Sequence, residues 1–410
     1  MPKDIPTPRF EKTVVEDNLS DGYWIQALDV NGNGRPDLVT SGLAEGHVAW
    51  YENPSWDKHA IATFPKPVSL DAADIDNDGN TDLVICHDYG NCMFNCGPED
   101  GKISWLRNPG SFGNGDTWHT HFIGDRIATH RLKLGHFTQT DNLELLALPV
   151  VGPQGGPDAV HKPVRITLYT PPDDLLNASE WPEQVIDESR YRIIHHARVG
   201  DYPVQESAET DTLLIASEEG VSWFGYDGNG SWQQTVFDAG EVTQVDNTGF
   251  KGSGNVDVGR VGEDPCAYMA AVEPFHGNTV SVYTKMSDGT LTDARWKRTV
   301  LDVFGDPNDA GEGAGHHVIT GDFDGDGDDE FLVALRGPWP WRGVYYYKAV
   351  DISDAMFVKK RISTESAARI AVADFTGDGR LDFATTGYYT PGYFLCENPQ
   401  VAVFTNQIGS

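Results

Sequence analysis

The amino-acid sequence predicts an all-β protein, a seven-bladed β-propeller in which residues 1–410 form a single domain. Three observations carry this. A loop with oxygen-bearing side chains at every second position recurs along the chain, each copy lies between two short apolar runs, and aromatic-bearing stretches with strand alternation follow. No helix-period pattern of useful length competes with this reading.

The fullest loop runs from Asp322 to Glu330. Its Asp322, Asp324 and Asp326, the carbonyl of Asp328, and Glu330 supply most of a shell for Ca2+ or Mg2+, which take oxygen ligands at positions 1, 3, 5, 7 and 9 of such a turn. The spacing recurs as Asp29, Asn31, Asn33 and Asp37, as Asp74, Asp76, Asp78 and Asp82, and as Asp374, Thr376, Asp378 and Asp382. An acidic turn that binds nothing is the alternative for any one copy, and recurrence argues against it. The expected role is structural, with Ca2+ or Mg2+ tying the first strand of a blade to its second.

Aligned on these loops, the blades start near Tyr23, Val68, His130, His195, Gly254, His316 and Ala368. Third strands are expected at Val48–Tyr51, Ile103–Leu106, Val221–Phe224 and Val344–Tyr347. Fourth strands should follow Trp56, Trp118, Trp181, Trp232 and Trp296. The last blade stops after a third strand at Val401–Phe404, so its outer strand is expected from the N-terminus, at about 9–16, closing the ring and leaving no long free edge. Blades 3 to 5 lack the full acidic loop and are expected to bind no metal there.

Composition narrows the partners. The formal net charge of −32 repels phosphate, and no basic patch or amphipathic helix offsets it, so nucleic acid and anionic membrane surfaces are not expected partners. A small neutral sugar is compatible, and a homodimer is left open. No apolar leader or bilayer-length run occurs, which predicts a cytoplasmic protein and gives the sequons at Asn18, Asn177 and Asn229 little meaning. The five cysteines, Cys86, Cys92, Cys96, Cys266 and Cys396, predict free thiols rather than a disulfide framework, with Cys92 and Cys96 as a weaker alternative for zinc.

Six residues before the first loop position the innermost strand begins, and His130, His195 and His316 all stand there. Radial symmetry points them at one central mouth, on the face opposite the acidic loops. The bland alternative is a set of hydrogen-bonded packing residues lining a wet channel. Loops after the second strands bring Asp88, Tyr89, His276, Trp339, Trp341, Tyr388, Tyr389 and Tyr393 to the same mouth. Aromatic faces and polar tips of this kind suit a sugar. Neutral histidines can move protons near pH 7, or can hold Zn2+ or another divalent transition metal that polarises a carbonyl; the residues leave both open. Serine-hydrolase elbows, phosphate loops and dinucleotide fingerprints are absent.

The stretches Asp21–Trp24, His130–Thr138, Phe275–Lys285, Val300–Gly305 and Pro391–Phe394 resemble the N-terminal propeller of fungal aldos-2-ulose dehydratase, also called 1,5-anhydro-D-fructose dehydratase. The resemblance runs from about Asp21 to Val403. The run from Phe275 is specific, whereas the acidic loops, of the FG-GAP/VCBS type, are shared with other propellers. It implies a hydro-lyase that removes water from a 2-keto sugar such as 1,5-anhydro-D-fructose to give the enone ascopyrone M. The acid/base and enolate roles are expected of His130, His195, His276 and His316, with Asp88, Tyr89 and Arg131 orienting. The longer enzymes of the family continue into cupin domains, which this chain lacks, so it is expected to stop at the dehydrated product. A non-catalytic, lectin-like sugar-binding propeller is the alternative.

Overall fold

The computed structural model describes residues 7–90, 92–97, 99–112, 116–204, 210–242, 249–308, 311–337, 339–392 and 394–408. Their strands make seven four-stranded antiparallel sheets. The innermost strands are Trp24–Leu28, Ser69–Ala73, Thr129–Gly135, His196–Gly200, Asn255–Val261, Gly315–Gly321 and Arg369–Ala373. Each lies against the innermost strands of both neighbouring sheets, and the seventh lies against the first, so the sheets form a ring around a central channel. In blade 7 the strands Arg369–Ala373, Asp382–Thr386 and Val401–Asn406 are followed outward by Phe10–Glu16, with Phe10 opposite Asn406 and Thr13 opposite Val403.

The core lies between blades rather than inside one. One apolar cluster joins blades 5 and 6 through Tyr268, Val282, Phe331 and Tyr347, and another joins blades 6 and 7 through Phe323, Tyr346, Phe383 and Phe404. Third-strand aromatics also cover their cross-strand partners: Trp50 stacks on His59 at 4.4 Å and Trp105 on His121 at 4.6 Å. The fourth strands expected from Trp56, Trp118 and Trp181 begin at Asp57, His119 and Glu183. Trp56 belongs to the preceding turn, with φ of 60°.

The acidic loops close on themselves and on the blade next door. Asp29 accepts the amides of Asn33 and Gly34, Asp74 those of Asp78 and Gly79, Asp322 those of Gly325 and Gly327, and Asp374 those of Gly377, Asp378 and Gly379. The ninth-position groups are buried. Asp37 accepts the amides of Val30 and Asn53, Asp82 those of Ile75 and Asn108, and Asp382 those of Phe375 and Asn406. The three asparagines then donate to a neighbouring blade: Asn53 to the Phe375 carbonyl, Asn108 to Val30 and Asn406 to Phe323.

One expectation is corrected. Cys92 and Cys96 are joined as a disulfide, while Cys86, Cys266 and Cys396 are free. An odd count cannot reveal that a short turn brings two of the five to a Cα separation of 4.3 Å. No helix among the described residues is long and apolar enough to cross a membrane.

Candidate functional site

The innermost strands and the loops between second and third strands bring four histidines together at the channel mouth. His195 and His276 place their Nε2 atoms 3.0 Å apart, and His316 lies 5.5 Å from His195 and 5.3 Å from His276, ring to ring. His130 stacks on His195 at 5.0 Å. All four are buried.

Partners set the tautomers of three of them. His195 Nδ1 lies 2.7 Å from the Gly254 carbonyl, and His316 Nδ1 meets the Ala368 carbonyl. A carbonyl only accepts, so each Nδ1 carries the hydrogen and each Nε2 a lone pair. His276 Nδ1 faces the Glu312 carboxylate at 2.8 Å, with the same consequence. The three Nε2 lone pairs therefore turn toward one volume, where one ligand atom from each residue lies within 4.8 Å of the others. His316 Nε2 is buried without a hydrogen-bond partner. Burial, reinforced by Arg131 or Arg336, pushes the His130, His195 and His316 pKa values well below the ordinary imidazole range, and burial lowers that of His276. Protonation is thus a poor way to relieve the facing lone pairs.

The loop carrying His276 is built for position. Glu273, fully buried, accepts from Ser281 Oγ at 2.9 Å and from Arg298 at 2.8 and 2.6 Å. His276 itself adopts φ of 48°, in the left-handed region a bulky residue rarely occupies. At Gly277 a Cβ would stand 2.1 Å from the Glu273 carbonyl oxygen, so only glycine closes this turn. The neighbouring segment docks on it, Gly313 donating to the His276 carbonyl at 2.6 Å, and this docking carries Glu312 to His276.

Other expected residues fall in several places. Arg131 is buried and spans the cluster, donating to the His130 carbonyl at 2.6 Å and to His195 Nε2 at 3.3 Å. Tyr89 is half-buried, its ring 6.1 Å from His130. Asp88 is held 2.6 Å from His87 Nδ1, an immediate sequence neighbour, and is not brought to the histidines by any hydrogen bond. Tyr388 packs 4.9 Å from His316. Trp339 and Trp341 are exposed. Tyr389 lies in the strand-like bridge to Gly22, and Tyr393 is outside the described residues.

Sequence reasoning missed Tyr23, whose hydroxyl lies 3.2 Å from His130 Nε2, and Glu312, Arg336 and Arg369. Tyr23 stood at the same blade-start position as the histidines and could have been found there. The others carry no spacing signal.

The loop residues expected to bind Ca2+ or Mg2+ converge in two blades, at Asp74, Asp76 and Asp78 and at Asp322, Asp324 and Glu330. Intramolecular cations already reach both. Arg107 contacts Asp76 and Asp78, and Lys348 contacts Asp324, Asp326 and Glu330. Asp328 accepts the Gly262 amide of blade 5, Asn31 donates to Glu52, and Thr376 donates to Asp374.

Fold and site together define a seven-bladed β-propeller with a buried polyhistidine centre at one mouth of its channel. Residues 100–286 match the sequence profile described as the β-propeller domain of aldos-2-ulose dehydratase, and residues 29–85 match an FG-GAP-like repeat. The chain is 35% identical, over 97% of its length, to aldos-2-ulose dehydratase of Phanerodontia chrysosporium, and covers 46% of that protein. The chain is similar to the propeller part of aldos-2-ulose dehydratase and spans about half the length of the curated relative it matches. Two solved structures of BBS1N in complex with ARL6DN, soaked with lead and with mercury, share the fold. Their TM-scores are 0.56 and 0.53 at 10% and 11% identity; the match covers 96% and 98% of this chain and 95% and 99% of those chains.

Proposed function

We propose that this propeller is a carbon–oxygen lyase that removes water from a 2-keto sugar such as 1,5-anhydro-D-fructose to give the enone ascopyrone M. His195, His276 and His316 would hold a divalent transition metal, with Zn2+ first. The observation that carries the reading is the orientation of these imidazoles: each gives its Nδ1 hydrogen outward to an oxygen and turns an Nε2 lone pair inward. Three neutral imidazoles backed by carbonyl and carboxylate oxygens are the donor set Zn2+ takes in sites that keep an open position. A bound ion would supply Lewis acidity at a ketone oxygen.

The chain's own groups move the protons. Buried and neutral, His130 takes the hydrogen from the carbon between the ketone and the carbon bearing the leaving hydroxyl. The C–H electron pair moves into the ketone as an enolate, and its return forms the new carbon–carbon double bond as the C–O bond to the neighbouring carbon breaks. The departing hydroxide collects a proton from the hydrogen-bonded Tyr23 and His130 pair and leaves as water. Arg131 sets a positive charge beside the oxygen on which enolate charge develops. The same reading gives the acidic loops Ca2+ or Mg2+ in a structural role and gives Phe10–Glu16 the task of closing blade 7.

The test is absorbance in the enone band during incubation with 1,5-anhydro-D-fructose. A rising signal that stops after chelation and returns with Zn2+ is expected, and His316→Ala should neither bind the ion nor make enone. Sugar binding by calorimetry with no enone formed would overturn the lyase reading in favour of a lectin-like propeller.

A further inference from the structure

The residue after each blade start forms a second layer beside the histidines: Trp24, Ser69, Arg131, His196, Asn255, His317 and Arg369. Contacts between blades that are not neighbours place them there. The Arg131 guanidinium of blade 3 lies 5.4 Å from the Trp24 ring of blade 1, and His196 of blade 4 lies 5.9 Å from His317 of blade 6. Arg369 stacks on the same Trp24 at 3.9 Å.

Three acceptors of this layer hold the ring together. Ser69 Oγ accepts the Leu132 amide, Asn255 Oδ1 that of Val318 and His317 Nδ1 that of Ile370, each a backbone group of the next blade. What remains is donors. Trp24 Nε1, Asn255 Nδ2, Arg131 Nε, and both Nε and Nη2 of Arg369 are buried without a partner. Arg131 is 1% exposed and Arg369 4%.

Among the described residues, neither Arg131 nor Arg369 forms an ion pair with a carboxylate. Arg131, Arg369 and Lys133 act on His196 and His317, and Arg369 feels Arg131 together with the opposing Tyr23 and Tyr388 hydroxyls. A protein with a net charge of −32 has thus enclosed two guanidinium groups in a layer whose seven residues include no carboxylate. Buried charge is tolerated when paired and hydrogen-bonded. The free groups of Arg369 are informative about the partner: Nε and Nη2 form one edge of the guanidinium, the fork that receives two oxygens of a planar anion.

We propose that this layer is a binding site for a small two-oxygen anion, a carboxylate or inorganic oxyanion seated on the Nε and Nη2 edge of Arg369 with the Arg131 charge beside it. The site adjoins the histidine centre and shares Arg131 with it, but the anion seat itself, the Arg369 edge, is not a group the proposed reaction uses. Its ligand would balance the cationic layer on which the histidines rest.

Thermal unfolding of the full chain in sodium formate and in sodium chloride, at equal ionic strength, tests it. Formate should raise Tm by roughly 2–4 °C over chloride, and the difference should vanish in Arg369→Gln. An equal response to both anions, or one that persists in Arg369→Gln, overturns the site. If the variant does not fold, a crystal structure of the unaltered protein grown in formate decides: formate on the Arg369 edge upholds the proposal, and water alone there overturns it.

Discussion

What distinguishes the histidines is which nitrogen of each is already engaged. Glu312 is the sole carboxylate among the three Nδ1 partners of His195, His276 and His316, so it both fixes the His276 tautomer and raises its basicity. Glu312→Gln should lower metal affinity by about 10–100-fold, as measured by competition with a chromophoric chelator, and should lower Tm as well, because it removes the charge paired with the buried Arg336. Unchanged affinity would reduce Glu312 to a packing role. His130, His195 and His316 were legible because they recur at one repeat position. Glu312 was not, since it reaches His276 only through the docking of Gly313 and Gly315 on the Gly277 turn. Asp88 looked equivalent to Tyr89 along the chain, yet a backbone with φ of 49° turns it to His87.

In three of the four acidic loops the buried ninth residue and an asparagine from the end of the third strand form a stitch to the adjacent blade. Asn108 is 1% exposed and donates to Val30 and Thr81 carbonyls at 2.8 and 2.9 Å. Asn108→Ala strands both carbonyls and should cost about 1–3 kcal/mol in urea unfolding; a loss below about 0.5 kcal/mol would mean that water replaces the amide. Burial raises the Asp37 pKa to about 6 and that of Asp82 to about 7. A carboxyl whose pKa is raised on folding stabilises most below its unfolded pKa, about 4, and that contribution is lost as pH rises through the folded value. In chelator-treated protein the Tm advantage over Asp82→Asn should therefore shrink between about pH 5 and about pH 8. A widening gap would show that Asp82 is held ionised. The loop pattern was visible in the sequence; that its last carboxylate also anchors a neighbouring blade was not, because its partner asparagine lies outside the loop motif.

Across the whole molecule, apolar clusters bridge adjacent blades, and Phe10–Glu16 pairs with Val401–Asn406 at the outer edge of blade 7. Removing the residues before Asp17 would expose the edge of Val401–Asn406. The truncated chain should melt lower and scatter light as it associates through that edge. Equal melting and no association would show that three strands suffice in blade 7.

Blade number, strand order and the meeting of His130, His195 and His316 at one mouth were determined by the sequence itself, because a repeat converts equivalent positions into equivalent places around a ring. The tertiary structure alone decided what those places contain. Tautomers depend on carbonyls from the next blade, the Cys92–Cys96 bond depends on one turn, and the cationic layer under the histidines arises where side chains from non-adjacent blades meet. Such contacts are set by radial packing, and linear spacing carries no record of them.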